Sequence, residues 1–341
     1  MHIGIYNPYV DSMSGGERYS LALASHWSRT HEVDVFWKDP TVLAKAQERL
    51  HVDLGKVHVA PNVFYDGNFF KKLLGSSQYD LIFFLSDGSV PTSLARHNIL
   101  HFQVPFPSVF VGPWKLSRYD AIVCNSVFTK TNLDPALQGK AIVIYPPVTT
   151  RVPASTKKGK IILTVGRFHP TKKQDVLIEA FKKMTPGWKL ICIGGLLPAD
   201  RTYFELLQKT SDGYPIDLVA NGSFDTLQSY YKKATIYWHA AGFGQVDPKL
   251  QEHFGISTVE AMAYGCIPVV YNGGGLIEII QENKNGFLWN TPNELLAKTR
   301  EIVSNSQLAK KIIVQCIERS HDFDETNFFV AFDGLLTQIT T

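Results

Sequence analysis

Residues 161–181 read Ile161-Ile-Leu-Thr164-Val-Gly166-Arg167-Phe-His-Pro-Thr-Lys172-Lys173-Gln-Asp175-Val-Leu-Ile-Glu-Ala-Phe181. Five apolar or β-branched residues stop at a glycine, and a basic turn then opens a segment with apolar residues at helical spacing. A buried strand followed at once by a helix is the repeating piece of a parallel sheet covered by helices. Just before it, Pro146-Pro147-Val-Thr-Thr-Arg-Val-Pro153-Ala-Ser-Thr-Lys-Lys-Gly159 is rich in proline and small polar residues and has no apolar periodicity, as in a linker. The strand at 161 therefore opens a second domain.

Outward from this point the same rhythm holds in both directions. Short apolar runs lie at 3–6, 33–37, 57–60, 81–85, 99–103, 121–124 and 142–145 in the first half. In the second they lie at 161–165, 190–193, 218–220, 236–238, 268–271 and 286–288. Helix-period segments fill most of the gaps, so the fold class is α/β: two doubly wound, Rossmann-like domains, 1–150 and 151–324, facing each other across a cleft at the carboxyl ends of their strands. A last helix over 327–339, apolar at Phe328, Phe332, Leu335 and Leu336, either crosses back onto the first domain or packs locally.

Composition narrows the function. With 341 residues, 45% hydrophobic and 19% charged, the chain can bury the core of two domains. Its 34 basic and 31 acidic residues leave a net charge of +3 with no basic stripe, so no nucleic-acid partner is expected. Cys124, Cys192, Cys266 and Cys316 form no C-x-x-C pair and read as buried thiols of a reducing cytosol. No run approaches the roughly 20 apolar residues of a membrane span, and the N-terminal residues carry no leader pattern. A cytoplasmic location is expected.

The strongest chemical signal is Glu252-His-Phe-Gly255-Ile256-Ser257-Thr-Val-Glu260-Ala-Met-Ala-Tyr-Gly265. If a helix starts near Gly255, its first N–H groups and positive end suit a diphosphate, with Glu252 just outside and Glu260 one to two turns in. Glu260 lies in an apolar stretch and needs a partner, for which a ribose diol is suited. Arg167 and Lys172 can converge on one anion, although two cations after a strand are also what an exposed turn carries. Gly15-Gly16 opens a helix close enough for backbone contact to a phosphate, and it fits neither the Rossmann dinucleotide nor the P-loop spacing. His101 ends a first-domain strand, where a histidine is a core residue as readily as a catalyst.

Taken together these segments resemble the retaining glycosyltransferases of family 4. The likeness rests on the E-x7-E pattern of Glu252 and Glu260, the following Gly-Cys-Ile-Pro-Val-Val run and the Gly273-Gly274-Gly275 turn, and matching stretches span most of residues 1–290. It implies the GT-B fold, with residues 1–150 binding the acceptor and 151–324 the nucleotide sugar. It assigns Glu252 to the transferred sugar, Glu260 to the ribose, Arg167 and Lys172 to the diphosphate, Gly15 and Gly16 to the donor phosphates, and His101 to a place beside the sugar. The family often has glycine where Lys173 stands, which leaves the choice between Lys172 and Lys173 open. Asn221-Gly222-Ser223 is where the family's backbone meets the nucleobase, and an ordinary turn accounts for it equally well.

The activity so implied is transfer of a hexosyl group from a nucleoside-diphosphate sugar to a glycan, a lipid-linked acceptor or another hydroxyl, with retention at the anomeric carbon. The nucleotide sugar is a co-substrate and no metal cofactor is expected. Asp322-Phe-Asp324 resembles a metal-holding D-x-D, but it sits before a helix, where aspartate is a common cap. A sugar epimerase of the same fold and a nucleotide-sugar binder without catalysis are the rival readings. Finally, Phe69-Phe-Lys-Lys-Leu-Leu74 can lie at an anionic membrane surface, giving a peripheral contact, or be a packed helix with two solvated lysines.

Overall fold

The computed structural model describes residues 1–12, 15–66, 68–109, 111–152 and 158–341. The chain divides into two compact units, Met1–Pro147 with Glu325–Thr341, and Val148–Asp324. The first contains strands β1 (His2–Tyr6), β2 (Glu32–Phe36), β3 (Val57–Ala60), β4 (Leu81–Leu85), β5 (His97–Phe102), β6 (Ala121–Cys124) and β7 (Ala141–Val143). They form one parallel sheet in the order β3-β2-β1-β4-β5-β6-β7. The second contains β8 (Ile161–Val165), β9 (Lys189–Gly194), β10 (Ile216–Ala220), β11 (Ile236–His239), β12 (Ile267–Tyr271) and β13 (Phe287–Trp289), in the parallel order β10-β9-β8-β11-β12-β13. The α/β architecture expected from the sequence is observed, and the strand bounds shift by a residue or two where ladder and apolar run end at different points.

A parallel sheet wants apolar side chains on both faces, and alternation along β4 supplies them. All five of its residues are buried; Leu81 and Phe83 enter one core while Ile82 and Phe84 enter the other. In the second unit Ile162, Leu190, Cys192, Ile236, Trp238, Ile267 and Val269 build one such core. All four cysteines are buried and free. Burial pushes the Cys124 thiol up to about 12, which leaves it protonated and unreactive. Among the described residues no helix is long and apolar enough to cross a membrane.

Pro146 and Pro147 lack N–H donors, and the first sheet ends just before them. Val148 then pairs with Asp324, its N–H reaching Phe323 O at 3.3 Å, so the two chain passages at the edge of the second unit lie side by side. The last helix, Glu325–Thr340, buries Phe328, Phe332, Leu335 and Leu336 in the core of the first unit. Phe328 and Phe332 meet Tyr19 edge-on at 4.8 and 5.9 Å, and Phe332 meets Trp27 at 5.9 Å. Asp333 adds bonds to His26 Nε2 at 2.8 Å and Trp27 Nε1 at 3.3 Å. The apolar stripe is thus core packing of the first unit by a segment far away in sequence.

Because Phe332 is fully buried among aromatic rings, Phe332→Ala should destabilise the first unit by about 3–5 kcal/mol. Denaturant unfolding followed by near-ultraviolet circular dichroism measures this; a loss under about 1 kcal/mol would show that the helix is not integral to that core.

Candidate functional site

In the second unit the site grows from the ends of β8 and β11. After Val165 the chain turns at Gly166, whose N–H bonds Ile193 O at 3.1 Å. The turn lies so close to the end of β9 that a Cβ on Gly194 would stand 2.0 Å from Gly166 O. Phe168 is fully buried and anchors the loop, leaving the Arg167 side chain half exposed with Nε 3.6 Å from Asp200 Oδ2. His169 caps the short turn Pro170–Lys172 by accepting from Thr171 N–H.

Lys172 then reaches Glu252: Nζ lies 2.7 Å from Oε2. His239, the buried last residue of β11, places Nε2 3.2 Å from the same oxygen. Burial alone raises the Glu252 carboxyl, but the Lys172 charge and the His239 hydrogen bond outweigh it and hold the group well below the usual carboxylate range. Glu252 is therefore a fixed anion at neutral pH. Lys173 adopts a left-handed φ of 56°, a conformation that costs a β-carbon-bearing residue about 1–2 kcal/mol. That explains why glycine suits the position, and the 2.7 Å contact with Glu252 makes Lys172 the cation gathered into the cluster.

The Gly273–Gly275 turn fixes Glu252 from below. Gly275 N–H donates to Glu252 O at 2.7 Å, and a Cβ on Gly274 would fall 2.1 Å from that oxygen. A Cβ on Gly275 would fall 2.4 Å from His253 O, so only glycines admit this approach. Thr171, Lys172, Lys249, Gln251, Glu252 and His253 line a cavity of about 160 Å³.

Directly after Glu252 the helix Ile256–Ala263 begins. Gly255 precedes it at φ 112°, where a Cβ would stand 2.7 Å from Leu276 Cδ2. Ile256 and Ser257 occupy its first turn, where N–H groups lack intrahelical acceptors. Ser257 Oγ pairs with Tyr237 Oη at 2.8 Å. Glu260, expected to need a ligand as its partner, already has one in the chain. Tyr231 Oη donates to its Oε2 at 2.9 Å, and burial keeps that phenol protonated.

The remaining expected residues behave differently. Asn221 adopts φ 53° and pairs its side chain with Leu196 as a backbone group would, accepting from N–H at 2.9 Å and donating to O at 3.4 Å. Gly222 packs on Ile193, and Ser223 caps the next helix, so a structural turn accounts for these side chains. Gly15 and Gly16 form the first turn of the helix Gly15–Trp27, with Gly16 O accepting from Gln103 Nε2 at 2.8 Å. Ser14, which precedes them, lies outside the described residues.

His101 is fully buried in the first unit, stacked on Tyr19 at 4.0 Å, with Nδ1 3.1 Å from Val123 O and no partner for Nε2 among the described residues. Of the aspartates of the apparent metal motif, Asp322 pairs with Arg319 at 2.6 Å and Asp324 accepts from Thr150 Oγ1 at 2.7 Å. No group of three potential metal-ligating side chains occurs among the described residues.

Sequence reasoning missed His239 and Tyr231. His239 had a signal, a polar residue that directly follows the apolar run 236–238. Tyr231 lies in the helix Phe224–Lys233 and had none.

Comparison with solved structures supplies the fold. The Anabaena protein HepE, solved with UDP and glucose, matches 99% of this chain and 100% of its own with a TM-score of 0.75 at 18% identity. Sucrose-phosphate synthase from Thermosynechococcus elongatus matches 100% and 99% with a TM-score of 0.70 at 15% identity. Two Rossmann-like units of this topology constitute the GT-B fold of sugar-transferring enzymes. The family model for glycosyl transferases group 1 matches residues 149–319, just over half of the chain, which therefore belongs to the group 1 glycosyltransferases. An uncharacterized glycosyltransferase of Methanocaldococcus jannaschii is 33% identical over 228 residues, covering 66% of this chain and 62% of the relative. A Xenopus laevis GDP-Man:Man(3)GlcNAc(2)-PP-Dol alpha-1,2-mannosyltransferase is 29% identical over 245 residues, covering 65% and 48%. The matched region thus spans about half to three-fifths of those relatives.

Burial pushes the His101 imidazole down to about 3 from an ordinary 6.5, against the opposing bond to Val123 O. The unfolded chain binds this proton first, so the stability tied to neutral His101 is complete above about pH 6.5 and is lost as pH falls toward 3. Between pH 6 and 4 the wild type should therefore lose about 1.4 kcal/mol per pH unit more than His101→Gln. Urea melts of both proteins across that range check this; parallel slopes would mean that the imidazole titrates normally.

Proposed function

We propose that this protein is a retaining glycosyltransferase that moves a hexosyl group from a nucleoside-diphosphate sugar to a hydroxyl of a glycan or lipid-linked acceptor, without a metal ion. The observation that carries the reading is the Lys172–Glu252–His239 cluster beside the first turn of the helix Ile256–Ala263. The names of the similar proteins agree with it: one structure is solved with UDP and glucose, and the mannosyltransferase is named for a GDP-mannose donor and a PP-Dol-linked acceptor.

A fixed carboxylate such as Glu252 can accept hydrogen bonds from sugar hydroxyls and stabilise a ring that gains positive charge. As the bond from the anomeric carbon to the diphosphate oxygen breaks, negative charge grows on the leaving group. Arg167, Lys172 and the N–H groups of Ile256 and Ser257 are the donors suited to meet it, a role otherwise given to a metal. The acceptor oxygen bonds the anomeric carbon from the face the diphosphate leaves, and its proton passes to the departing phosphate. No carboxylate of the cluster is an evident nucleophile for the opposite face, which favours this route over double displacement. Glu260, oriented by Tyr231, is suited to the ribose diol.

Two measurements test the reading. Turnover should persist in excess EDTA; complete loss, restored by manganese, would overturn metal independence. Glu252→Gln should lower kcat on the order of 10²-fold with little change in affinity for the free nucleoside diphosphate, because that ligand has no sugar for Glu252 to touch. Glu260→Gln should mainly raise donor KM and weaken diphosphate binding in titration calorimetry. Equal loss of diphosphate affinity in both variants would refute the division of roles.

A further inference from the structure

The two cations of the site are held in different ways. Lys172 Nζ touches its carboxylate directly, whereas Arg167 Nε stands 3.6 Å from Asp200 Oδ2, beyond hydrogen-bond reach. Asp200 lies in the loop after β9, and its behaviour there breaks a local rule. It directly precedes the helix Arg201–Ser211, where an aspartate ordinarily accepts from the first N–H groups, yet it makes no capping bond. Its carboxylate faces Arg167 and His169 in the loop after β8 instead. A side chain that forgoes the bond its position offers marks a place shaped by something other than helix stability.

Burial separates this contact from an ordinary surface pair. Asp200 is only 8% exposed, where an uncompensated charge is costly, while the arginine beside it keeps half of its side chain in solvent. The second group facing the carboxylate is an imidazole, with His169 Nε2 3.8 Å from Oδ1. His169 Nδ1 accepts from Thr171 N–H at 3.3 Å, so the proton of the neutral ring is on Nε2, toward Asp200. The carboxylate thus stands between the two side chains that flank the buried Phe168 in sequence.

Both sides of the contact are mounted on fixed backbone. Phe168 N–H donates to Gly195 O at 2.8 Å and Gln174 Nε2 donates to Arg167 O at 2.9 Å, so the peptide joining Arg167 to Phe168 is held at its N–H and at its C=O. Across from it, Leu196 N–H donates to Asn221 Oδ1 at 2.9 Å and Asp200 N–H to Leu197 O at 3.0 Å. The helix that follows packs Phe204 edge-on against Phe168 at 4.8 Å, and its Tyr203 Oη donates to Asp175 Oδ1 at 2.9 Å. With both main chains fixed, the freedom left in this corner is that of the arginine side chain, and Asp200 is the group placed to remove it. Because the contact is made at Nε, the Nη donors remain for a ligand. An anion beside an anion site also repels the ligand, so its presence there calls for a use.

We propose that Asp200 is a positioning residue whose carboxylate holds the Arg167 guanidinium at the end of β8 in the orientation that meets the charge growing on a departing diphosphate. It weakens ground-state binding slightly and favours the transition state through Arg167. The proposal rests on the transferase reading for what Arg167 meets, and not for the restraint on Arg167 itself.

Restraint and consequence are read separately in the full chain with Asp200→Asn, which keeps the size of the side chain and removes its charge. Nitrogen-15 relaxation of Arg167 Nε–H, assigned by its loss in Arg167→Gln, should show the order parameter falling from about 0.85 to below about 0.6. In hydrolysis of radiolabelled UDP-glucose and GDP-mannose, kcat should fall about tenfold, while affinity for free UDP or GDP in titration calorimetry stays equal or rises up to about threefold. In the Arg167→Gln background the same change should alter hydrolysis by less than about twofold, because a positioning residue has nothing left to position. An unchanged order parameter, an unchanged kcat, or an equal fall of kcat in the Arg167→Gln background would overturn the proposal. So would a loss of diphosphate affinity in step with kcat, the mark of a damaged site. If the wild type cleaves neither nucleotide sugar while Arg167 Nε–H loosens in Asp200→Asn, transfer from these donors fails and the restraint stands.

Discussion

A parallel sheet that must be covered on both faces leaves its chemistry nowhere to go except the strand ends. Each face of the two sheets is closed by apolar side chains, as β4 illustrates with Leu81 and Phe83 on one side and Ile82 and Phe84 on the other. Polar and charged groups are thereby expelled to the loops at the carboxyl ends. Lys172 after β8 and His239 closing β11 are there for this reason, and in the first unit so are Tyr6 and the loop after β4. Even the last helix answers the same demand. It returns from position 325 to cover a face of the first sheet that the first 147 residues leave open to Phe328 and Phe332.

Within the second unit the site depends on one charge being settled in advance. Glu252 is held ionised by Lys172 and His239 in a place where burial alone would protonate it, and its main chain is pinned by a turn that tolerates only glycine. The pairing also restrains Lys172, a long side chain on a half-buried turn. The ammonium is thereby already oriented, so less rotamer freedom would remain to be lost if an anion took the place of Glu252. Tyr231, a neutral donor, orients Glu260 through its hydrogen bond to Oε2.

The contrast between Glu252 and His101 shows where sequence reasoning reaches its limit. Both are polar residues near strand ends and both were candidates for chemistry. One sits among compensating charge and lines a cavity; the other is sealed against Tyr19 with its basicity suppressed. The difference comes from neighbours far off in sequence: residue 172 for residue 252, and residue 19 for residue 101. Asn221 makes the same point, since its left-handed backbone and its two bonds to Leu196 follow from the approach of the loop after β9.

The sequence by itself determined the α/β class, the strands to within a residue or two and the helix start near Gly255, because these depend on local periodicity and on the backbone limits of glycine. It also singled out Glu252, Glu260, Arg167 and Lys172 as a set. Only the tertiary structure decided that Lys172 rather than Lys173 meets Glu252, that His239 completes the cluster and Tyr231 partners Glu260, and that the outer face of the helix Phe69–Ser76 remains uncovered. Those outcomes are set by distances between residues tens of positions apart and by which side of an element is buried, and no local spacing encodes either.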